Sequence, residues 1–347
     1  MKIWFNRWFT TVYHYINMIR NNPENRKFII YGTHSYKDAL YLQNCDFAFS
    51  EPEVDGEEYI QFCLDFCKKH GIDIFVPRKE NVLISKNLRE FEKIGVKVLV
   101  CPDPELMELM DNKAWMYQSI LEKQSAGKSL VPIPDYKVVN NLSQFDEAYQ
   151  WLKRKGHQVC IKPVIGEGAS GFRILKDEID HIEQLMNQGT SYKVPVKYIR
   201  EILSQQGSFP DMLVMEYLDG PEYSIDCLAG NGSLHAVIPR MKGEGRIREL
   251  IEDQDLIKMS EDIYKEYPVP FIFNIQVKFH DGVPKLLELN PRMSGGLHIS
   301  CLSGVNFPYL AIKLLLNEKI EMIKPSFGIR ASHLEQEIIM NEISKSS

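Results

Sequence analysis

Apolar and polar residues alternate almost without interruption from Phe271 to Arg292, in the sequence FIFNIQVKFHDGVPKLLELNPR. Alternation with a period of two is typical of a β-strand that buries one face. Asp281-Gly282 interrupts the pattern near its middle and is a strong turn signal. The segment therefore predicts a β-hairpin.

The length of the hairpin loop decides which side chains share a face. A two-residue loop, Asp281-Gly282, would pair Ile275 with Glu288 and put the polar rows of the two strands on opposite faces. A three-residue loop, His280-Asp281-Gly282, with Gly282 left-handed in a bulge, pairs Asn274 with Glu288 instead. Only this second register gives one apolar and one polar face, and a slip of one residue would destroy it. We therefore predict the three-residue loop.

The predicted register brings Gln276, Glu288 and Asn290 to one surface of the hairpin. Carboxylate and amide oxygens are the ligands that Mg²⁺ and Mn²⁺ take in proteins, with open positions left for water and substrate phosphate. Arg292 follows directly, where its guanidinium could clamp phosphate oxygens. An ordinary solvated face is the alternative, but such a face more often carries Lys, Thr and Ser.

The first hundred residues alternate short apolar runs with amphipathic stretches, which predicts an open α/β sheet with parallel strands. No glycine fingerprint follows the first strand. Residues at the carboxyl ends of strands are candidate substrate contacts, namely Asn6, Arg7 and Arg78 to Glu80. The predicted strands are Lys2 to Phe5, Phe28 to Tyr31, Asp46 to Phe49, Ile72 to Val76 and Val96 to Val100, and the predicted helices are Glu57 to His70 and Glu80 to Ile94.

A glycine-rich loop, GEGASG, lies between two predicted strands in His157 to Leu175. It matches the pattern GxGxxG, but a dinucleotide fingerprint needs a helix after the glycines, and no Gly-Lys-Ser/Thr closes a phosphate loop. We interpret it as a hairpin flap whose backbone N–H groups can close over phosphates. A glycine-rich surface loop is the alternative. Lys162 lies on the predicted strand that leads into this loop. Its neighbours Ile161 and Pro163 indicate that the lysine is partly enclosed.

The remaining predictions concern the middle of the chain. A basic, glycine-bearing loop from Arg240 to Arg248 is either solvated or a mobile anion contact. The other predicted elements are a helix from Glu105 to Glu122, a helix from Gln144 to Lys155 capped by Ser143, strands at Asp211 to Asp219 and Glu222 to Leu228, and a turn at Asn231-Gly232.

Composition narrows the class of protein. The 347 residues are 44% hydrophobic and 25% charged, as in globular proteins of two or three domains. A net charge of −6 argues against a nucleic-acid partner. Seven scattered cysteines predict no disulfide framework and indicate a reduced, cytoplasmic protein.

No apolar run approaches the roughly 20 residues that cross a bilayer. Polar residues interrupt the aromatic N-terminus, so we expect the fold to start at residue 1 and no membrane partner.

Several motifs occur in one order along the chain: Lys113 in DNKAWMY, Lys162 in IKP, the GEGASG flap, MEYLDGPEYSID, and NIQ followed by LELNPR. Together they resemble the ATP-grasp superfamily, most closely its carbamoyl-phosphate-synthase-like branch with the carboxylate–amine ligase relatives, over about residues 105 to 316. The resemblance implies an N-terminal open α/β domain before a two-lobed ATP-grasp fold. The implied divisions are 1–103 for the N-terminal domain, 104–130 with 215–325 for the core lobe, 131–214 for the lid lobe, and 326–347 for a C-terminal extension. The polar composition of Asn341 to Ser347 predicts that this tail is disordered.

The resemblance also implies how ATP is held. Lys113 and Lys162 would contact its phosphates, with Lys162 also near the adenine. Glu222 would bind the ribose hydroxyls. The hinge that holds the adenine edge would be formed by Glu216, Tyr217 and Leu218. The flap over the phosphates would be formed by Gly166, Gly168, Ser170 and Gly171.

The metal and catalytic positions are implied in the same way. Gln276, Glu288 and Asn290 match the metal positions, with Glu288 bridging two Mg²⁺ (or Mn²⁺) ions. Amides stand at two of these positions, so Glu288 is the clearly anionic ligand. Arg292 matches the arginine that steadies the γ-phosphate and the acyl phosphate, and Arg240 matches a substrate or phosphate arginine.

The activity that the resemblance implies is an ATP-dependent ligation. A carboxylate attacks the γ-phosphate, an acyl phosphate forms, and an amine displaces phosphate, with release of ADP and phosphate. One alternative is a stand-alone subunit, like carbamoyl phosphate synthase, that phosphorylates bicarbonate or carbamate. The other is a non-catalytic ATP-binding module that regulates a partner. Small-molecule acids and amines are the expected partners, and the resemblance also suggests a homodimer.

Overall fold

The computed structural model describes residues 1–166, 168–179, 181–186, 192–334 and 337–339. The tail predicted to be disordered, Asn341 to Ser347, lies outside these residues. The chain forms two compact units. Unit 1 contains Met1–Glu108, Tyr223–Gln276 and Leu289–Ser347, and unit 2 contains Leu109–Glu222 and Val277–Glu288. No helix among the described residues is both long enough and apolar enough to cross a membrane.

The N-terminal part of unit 1 is the predicted parallel α/β sheet. Its strands have the order β3-β2-β1-β4-β5, and each strand runs parallel to its neighbours. The predicted helix Glu80 to Ile94 is two helices that meet at Asn87. The elements are β1 (Lys2–Asn6), α1 (Val12–Arg20), β2 (Ile29–His34), β3 (Phe47–Ser50), α2 (Gly56–His70), β4 (Ile74–Val76), α3 (Asn81–Lys86), α4 (Leu88–Lys93) and β5 (Lys97–Val98).

Local sequence explains where these elements begin and end. The helix α2 ends at Gly71, which has φ +61°, a left-handed conformation that glycine adopts without steric cost. The strand β1 is buried along Ile3 to Asn6, as expected for the central strand of a sheet covered on both faces. The ring of Trp4 stacks on that of Phe75 with centroids 4.1 Å apart, which ties β1 to β4.

Unit 2 contains a second sheet of order β6-β10-β7-β8-β9. Its core includes Phe145, Leu152 and Val214, packed between the sheet and α7. The elements are α5 (Pro104–Asp111), whose first residues belong to unit 1, then α6 (Lys113–Ser125), β6 (Tyr136–Val139), α7 (Leu142–Arg154), β7 (Val159–Pro163), β8 (Arg173–Lys176), α8 (His181–Met186), β9 (Lys193–Pro195), α9 (Val196–Leu203) and β10 (Met212–Glu216).

Two asparagines correct the helix predictions in this part of the chain. The predicted helix Glu105 to Glu122 is broken at Asn112, whose side chain accepts hydrogen bonds from Ala114 N and Trp115 N and so starts α6. The cap of α7 is Asn141, which accepts from Gln144 N, and not Ser143. In both cases an amide oxygen satisfies N–H groups that the first helical turn leaves without a partner.

The third sheet has the order β15-β14-β11-β12-β13-β16. The predicted turn at Asn231-Gly232 is confirmed, since both residues have positive φ, at 52° and 75°. The strand β12 runs on through Arg240 to Lys242, so the predicted basic loop begins later than expected. The remaining elements are β11 (Glu222–Gly230), β12 (Ser233–Lys242), β13 (Arg248–Leu250), α10 (Gln254–Glu266), β14 (Phe271–His280), β15 (Val283–Asn290), α11 (Leu297–Ser300), α12 (Phe307–Leu315) and β16 (Ile329–Ala331).

Candidate active site

Lys113 is the first residue of α6 and lies buried in unit 2. Its backbone N–H donates to Val164 O (3.2 Å), which fixes the helix start beside the end of β7. Its Nζ donates to Gly166 O (2.7 Å) and lies 3.6 Å from Glu288 Oε2. The structure therefore brings a predicted phosphate contact, the first flap glycine and the predicted metal-bridging carboxylate together.

Lys162 lies on β7 and directs its ammonium group to the same place. Its Nζ is 3.2 Å from Leu287 O and 3.5 Å from Tyr117 Oη. The pKa of Lys162 is lowered to about 8, mainly by burial; Glu288 and Glu222 act to raise it, and the nearby charge of Lys113 acts to lower it. Because two lysines converge beside Glu288, an incoming phosphate would meet two ammonium groups.

Tyr117 is a residue of this cluster that the sequence analysis missed. It lies four residues after Lys113, hence on the same side of α6, and this spacing could have indicated it. Its side chain is fully buried, and its hydroxyl contacts Leu286 O (3.1 Å) and Leu287 O (2.8 Å). Tyr117 thereby holds β15 and, through its hydroxyl, the ammonium group of Lys162.

The hairpin loop differs from the prediction. His280 belongs to β14, and the loop is the two residues Asp281 and Gly282, with φ of 49° and 77°. Positive φ at both positions is the signature of a type I′ turn, whose twist matches that of the flanking strands. The three-residue loop was therefore wrong.

The strand β15 is irregular around Leu286 and Leu287. Successive carbonyls of a regular strand point to opposite sides, yet the adjacent carbonyls of Leu286 and Leu287 both face Tyr117. The buried residues Leu286 and Leu289 are three apart, which also breaks the period of two. The shared face predicted for Gln276, Glu288 and Asn290 was argued from the three-residue loop, and it stays a prediction.

The flap glycines adopt backbone conformations that other residues rarely adopt. Gly166, Gly168 and Gly171 have φ of 153°, 59° and 70°. A Cβ at Gly171 would lie 2.6 Å from the Pro163 Cγ, so this glycine is also required by close packing. Ser170 is exposed in the same loop. The loop thus has the β-hairpin setting that the sequence predicted, between β7 and β8.

Glu216, at the predicted adenine hinge, is 1% exposed and its carboxylate has partners inside unit 2. It pairs with Lys285, accepts from Asp135 N (3.1 Å) and lies 3.5 Å from His157 Nε2. The Asp135 carboxylate in turn contacts His157 and Lys155, each at 2.8 Å. Among the described residues, Asp135, His157 and Glu216 form the one group of potential ligands close enough for a metal ion, but two lysines already neutralise its carboxylates.

The other predicted nucleotide contacts of unit 2 are Tyr217, Leu218 and Glu222, which follow Glu216 in the sequence. Tyr217 N donates to Gln158 O (2.7 Å), and its ring lies 5.0 Å below Lys278 Nζ. Leu218 is 3% exposed. Glu222 is partly buried at the start of β11 and is close enough to Lys162 to act on its pKa. Because the carboxylate of Glu216 already has partners, the backbone groups of this segment are better suited than that side chain to bind the edge of an adenine ring.

Three further candidates, Gln276, Asn290 and Arg292, belong to unit 1. All three are partly buried. Lys242 Nζ approaches Gln276 Oε1 at 3.5 Å, and Asn290 O accepts from Arg292 N (2.8 Å). Arg292 lines a small cavity of unit 1 with aromatic and polar neighbours, among them Trp8, Asn81 and Phe271.

Arg240, predicted to contact substrate, is only 3% exposed. Its Nη2 lies 3.3 Å from the fully buried Asp226 and also contacts the hydroxyls of Ser224 (3.0 Å) and Ser294 (3.3 Å). Its Nε donates to Ser300 Oγ (3.1 Å). The substrate role stays a prediction, but these partners favour a structural role for Arg240.

The candidates at the carboxyl ends of the N-terminal strands are tied into a hydrogen-bond network. Asn6 is fully buried, donates to Tyr59 Oη and accepts from Arg78 N (2.7 Å). Arg7 Nε pairs with Glu51 Oε1 at 2.6 Å. This network joins the ends of β1, β3 and β4, and a direct role in substrate binding stays a prediction.

Part of the chain matches a known family model, and the chain has distant curated relatives. A family model described as ATP-grasp in the biosynthetic pathway with Ter operon matches residues 208–337. The C-terminal section of the carbamoyl phosphate synthase large chain of Methanocaldococcus jannaschii is 21% identical over an alignment of 342 positions, which covers 90% of this chain and 47% of that protein. The chain spans less than half the length of the curated relatives it matches.

Solved structures show the same fold. The L-amino acid ligase of Bacillus licheniformis superimposes with a TM-score of 0.62 and 14% identity, over 90% of this chain and 74% of that one. The biotin carboxylase domain dimer of Hydrogenobacter thermophilus 2-oxoglutarate carboxylase, solved with MgADP, ADP and bicarbonate, gives 0.62 and 16%, over 95% and 73%. The predicted resemblance to the ATP-grasp superfamily is confirmed, and the fold is the ATP-grasp fold with an α/β sheet before it.

Proposed function

We propose that this chain is an ATP-dependent carboxylate–amine ligase that activates an acid as an acyl phosphate and joins it to an amine, with release of ADP and phosphate. The convergence of Lys113, Lys162 and Glu288 beside the flap carries the proposal. Two ammonium groups and one partly buried carboxylate suit a triphosphate and its divalent cation better than they suit an apolar ligand.

The flap and the lysines bind the polyphosphate of ATP in this proposal. Lys113 and Lys162 neutralise phosphate oxygens, and the backbone N–H groups of Gly168 and Gly171 cover them. The conformations of these glycines leave no side chain between backbone and phosphate. Backbone groups of Tyr217 and Leu218 hold the adenine edge, and Glu222 accepts from the ribose hydroxyls.

The oxygen donors of the hairpin are the ligands that we propose for Mg²⁺. The side chain of Glu288 is 12% exposed and faces Lys113 at 3.6 Å, so a carboxylate is available beside the phosphate contacts. Gln276 and Asn290 supply amide oxygens, and this all-oxygen donor set fits a hard cation. When bound, Mg²⁺ would offset negative charge on the phosphates during transfer.

The chemistry then depends on enclosing an unstable intermediate. The substrate carboxylate attacks the γ-phosphorus, the bond to the ADP oxygen breaks, and an acyl phosphate results. Arg292 steadies the transferred phosphoryl group, and a lid that we place at residues 131–214 excludes water until the amine attacks the acyl carbon. Small-molecule substrates, a homodimer and a cytoplasmic location are part of the same proposal.

A second candidate function is phosphorylation of bicarbonate or carbamate. The similarity to a carbamoyl phosphate synthase section over 90% of this chain favours it. It shares the nucleotide site and differs only in the acid that attacks phosphorus. A test of substrates therefore distinguishes the two functions, whereas variants that abolish the use of ATP would abolish both.

The test is a panel of amino acids and small carboxylates, singly and in pairs, assayed for magnesium-dependent ADP and phosphate release. We expect release that requires one acid together with one amine, and a product of the summed mass less water. Release that depends on bicarbonate alone would favour the second candidate. ATP binding without turnover across the panel would contradict both and leave a regulatory module.

A further inference from the structure

Lys285 of β15 reaches the predicted adenine hinge, although the sequence analysis did not single it out. Its ammonium group pairs with the carboxylate of Glu216, and both residues belong to unit 2. The side chain of Lys285 is 19% exposed and that of Glu216 is 1% exposed. Because a buried carboxylate that loses its cation is strongly destabilised, this pair fixes where the Glu216 carboxylate lies.

The backbone at the end of β10 departs from the regular antiparallel pattern. Two residues that form a hydrogen-bonded antiparallel pair exchange two bonds, each N–H donating to the other carbonyl. Glu216 N donates to Asp135 O (2.9 Å), as this pattern requires. Asp135 N, however, donates to the side-chain Oε2 of Glu216 (3.1 Å). The side chain of Glu216 thus takes the amide that a regular sheet would give to the carbonyl of the same residue.

The carbonyl of Glu216 has a weak donor in place of that amide. The sulfur of the Cys160 thiol lies 3.6 Å from Glu216 O, and a thiol is a poor hydrogen-bond donor. A carbonyl oxygen carries two lone pairs, so this one can accept a further and stronger hydrogen bond. The hinge therefore presents a backbone acceptor that the side chain of its own residue has released from the sheet.

We propose that Lys285 is a positioning residue for the nucleotide base. By holding the Glu216 carboxylate on Asp135 N, it keeps the Glu216 carbonyl available to the exocyclic amino group of adenine. The inference rests on the proposed function, and it adds a cause for the choice of base. Lys285 acts through Glu216 and does not itself bind the nucleotide.

The stretch of β15 that begins at Lys285 also carries groups of the proposed phosphate site. The Tyr117 hydroxyl contacts the carbonyls of Leu286 (3.1 Å) and Leu287 (2.8 Å), and Glu288 follows beside the phosphate lysines. Four consecutive residues of unit 2 thus run from the proposed hinge to the proposed metal ligand. The pair of Lys285 with Glu216 therefore holds the hinge against the strand that carries Glu288.

The experiment compares the binding of ADP and inosine diphosphate, each with magnesium, to the full chain by isothermal titration calorimetry. The two nucleotides share ribose and phosphates, but inosine has a carbonyl oxygen where adenine has its amino group. That oxygen would face the Glu216 carbonyl without a proton between them, so we expect the wild type to prefer ADP by about tenfold or more. Lys285→Met should reduce this preference to about twofold, mainly through weaker binding of ADP.

Two further lysine variants separate positioning from a general loss of structure. Lys285→Arg keeps the positive charge and should restore the preference for ADP to within about threefold of the wild-type value. Lys155→Met is the matched control, because Lys155 pairs with Asp135 and not with Glu216. It should keep the wild-type preference.

Lys285→Met leaves the Glu216 carboxylate buried without a cation, which can prevent folding. The double variant Lys285→Met with Glu216→Met removes both charges and nearly keeps the volume, a change that buried ion pairs tolerate. Asp135 N then has no side-chain oxygen at residue 216 and is free to donate to the carbonyl. The preference for ADP should fall in this variant as well.

Three results would overturn the inference: a wild type that binds both nucleotides equally, a preference for ADP that survives in the Lys285 variants without a positive charge, or a loss of both nucleotides by the same factor. The last result would leave Lys285 a structural role. None of the three bears on the requirement for an acid together with an amine in the ligation assay. Conversely, a base preference that depends on Lys285, without ligation across the substrate panel, would support the inference and contradict the proposed function alone.

Discussion

The ammonium group of Lys113 and the carboxylate of Glu288 lie 3.6 Å apart, both largely shielded from solvent. The pair joins the first residue of α6 to the end of β15. Each side chain partly neutralises the other. A triphosphate and its cation would compete for both, with phosphate on the lysine and metal on the carboxylate.

The first prediction concerns Glu288. Glu288→Ala removes the carboxylate that we place on Mg²⁺, so we expect magnesium-dependent ADP release to fall by roughly a hundredfold or more, the loss typical of removing a group that stabilises transferred charge. The circular dichroism spectrum should not change. Glu122→Gln, which alters an exposed acid of α6, is the control and should keep normal activity. A Glu288→Ala enzyme of normal activity would end the metal assignment.

The second prediction concerns pH. The pKa of Lys162 is lowered to about 8, mainly by burial, so its ammonium group loses its proton as the pH rises through that value. We expect KM for ATP to increase steadily between about pH 7.5 and pH 9.5. Lys162→Arg keeps the charge at every pH in this range and should show no such increase. Equal pH profiles in the two enzymes would contradict the role of Lys162.

The same shift predicts how stability changes with pH. The folded-state pKa of Lys162 lies below its unfolded value of 10.5, so the unfolded chain binds more protons between about pH 8 and pH 10.5. This one group should make the free energy of unfolding rise with pH across that window. Urea titrations of the wild type and Lys162→Met at pH 8 and pH 10 measure the difference, which should be smaller in the variant.

The third prediction concerns the flap. Gly171→Ala places a Cβ 2.6 Å from Pro163 Cγ at a residue with φ +70°, and both effects strain the loop. We expect a loss of about 1–2 kcal/mol in the free energy of unfolding, together with a higher KM for ATP. Gly207→Ala is the control in the same unit, since a Cβ there meets nothing within 4 Å. Indistinguishable melting curves for the two variants would contradict the assignment.

The fourth prediction separates a structural Arg240 from a catalytic one. Arg240→Met leaves Asp226 fully buried without its guanidinium partner, which should cost about 3–5 kcal/mol of the free energy of unfolding. Arg330→Met removes an arginine that is 67% exposed and 3.9 Å from Glu249, and it should cost less than about 1 kcal/mol. If Arg240→Met kept wild-type stability and lost activity, the catalytic role would stand instead.

Much of the fold was predictable because the burial of apolar residues follows secondary structure closely. The strands β1 to β5 and the helix α2 lie within a few residues of their predicted bounds. The helix break at Asn112 was not predicted, because an asparagine is equally compatible with a helix interior and a cap until its oxygen is seen to accept from Ala114 N.

The candidate site was harder to predict because it depends on register. Asp281-Gly282 suits both loop lengths, and the sequence carries no mark of the contacts that the Tyr117 hydroxyl makes with the carbonyls of Leu286 and Leu287. The sequence analysis put Arg240 in a loop, whereas the structure places it on β12, which extends past Pro239 to Lys242. Its contacts with Ser224 and Asp226 on β11 follow from that position in the strand.

Unit 2 is built from two stretches of chain, Leu109–Glu222 and Val277–Glu288. During synthesis the first stretch leaves the ribosome well before the second, with Tyr223–Gln276 between them. Glu216 cannot meet Lys285, and Tyr117 cannot bind Leu286 O, until the later stretch has emerged. A nascent chain that stops short of residue 288 therefore lacks part of the phosphate pocket that we propose, and the proposed nucleotide would stabilise this unit only late in translation.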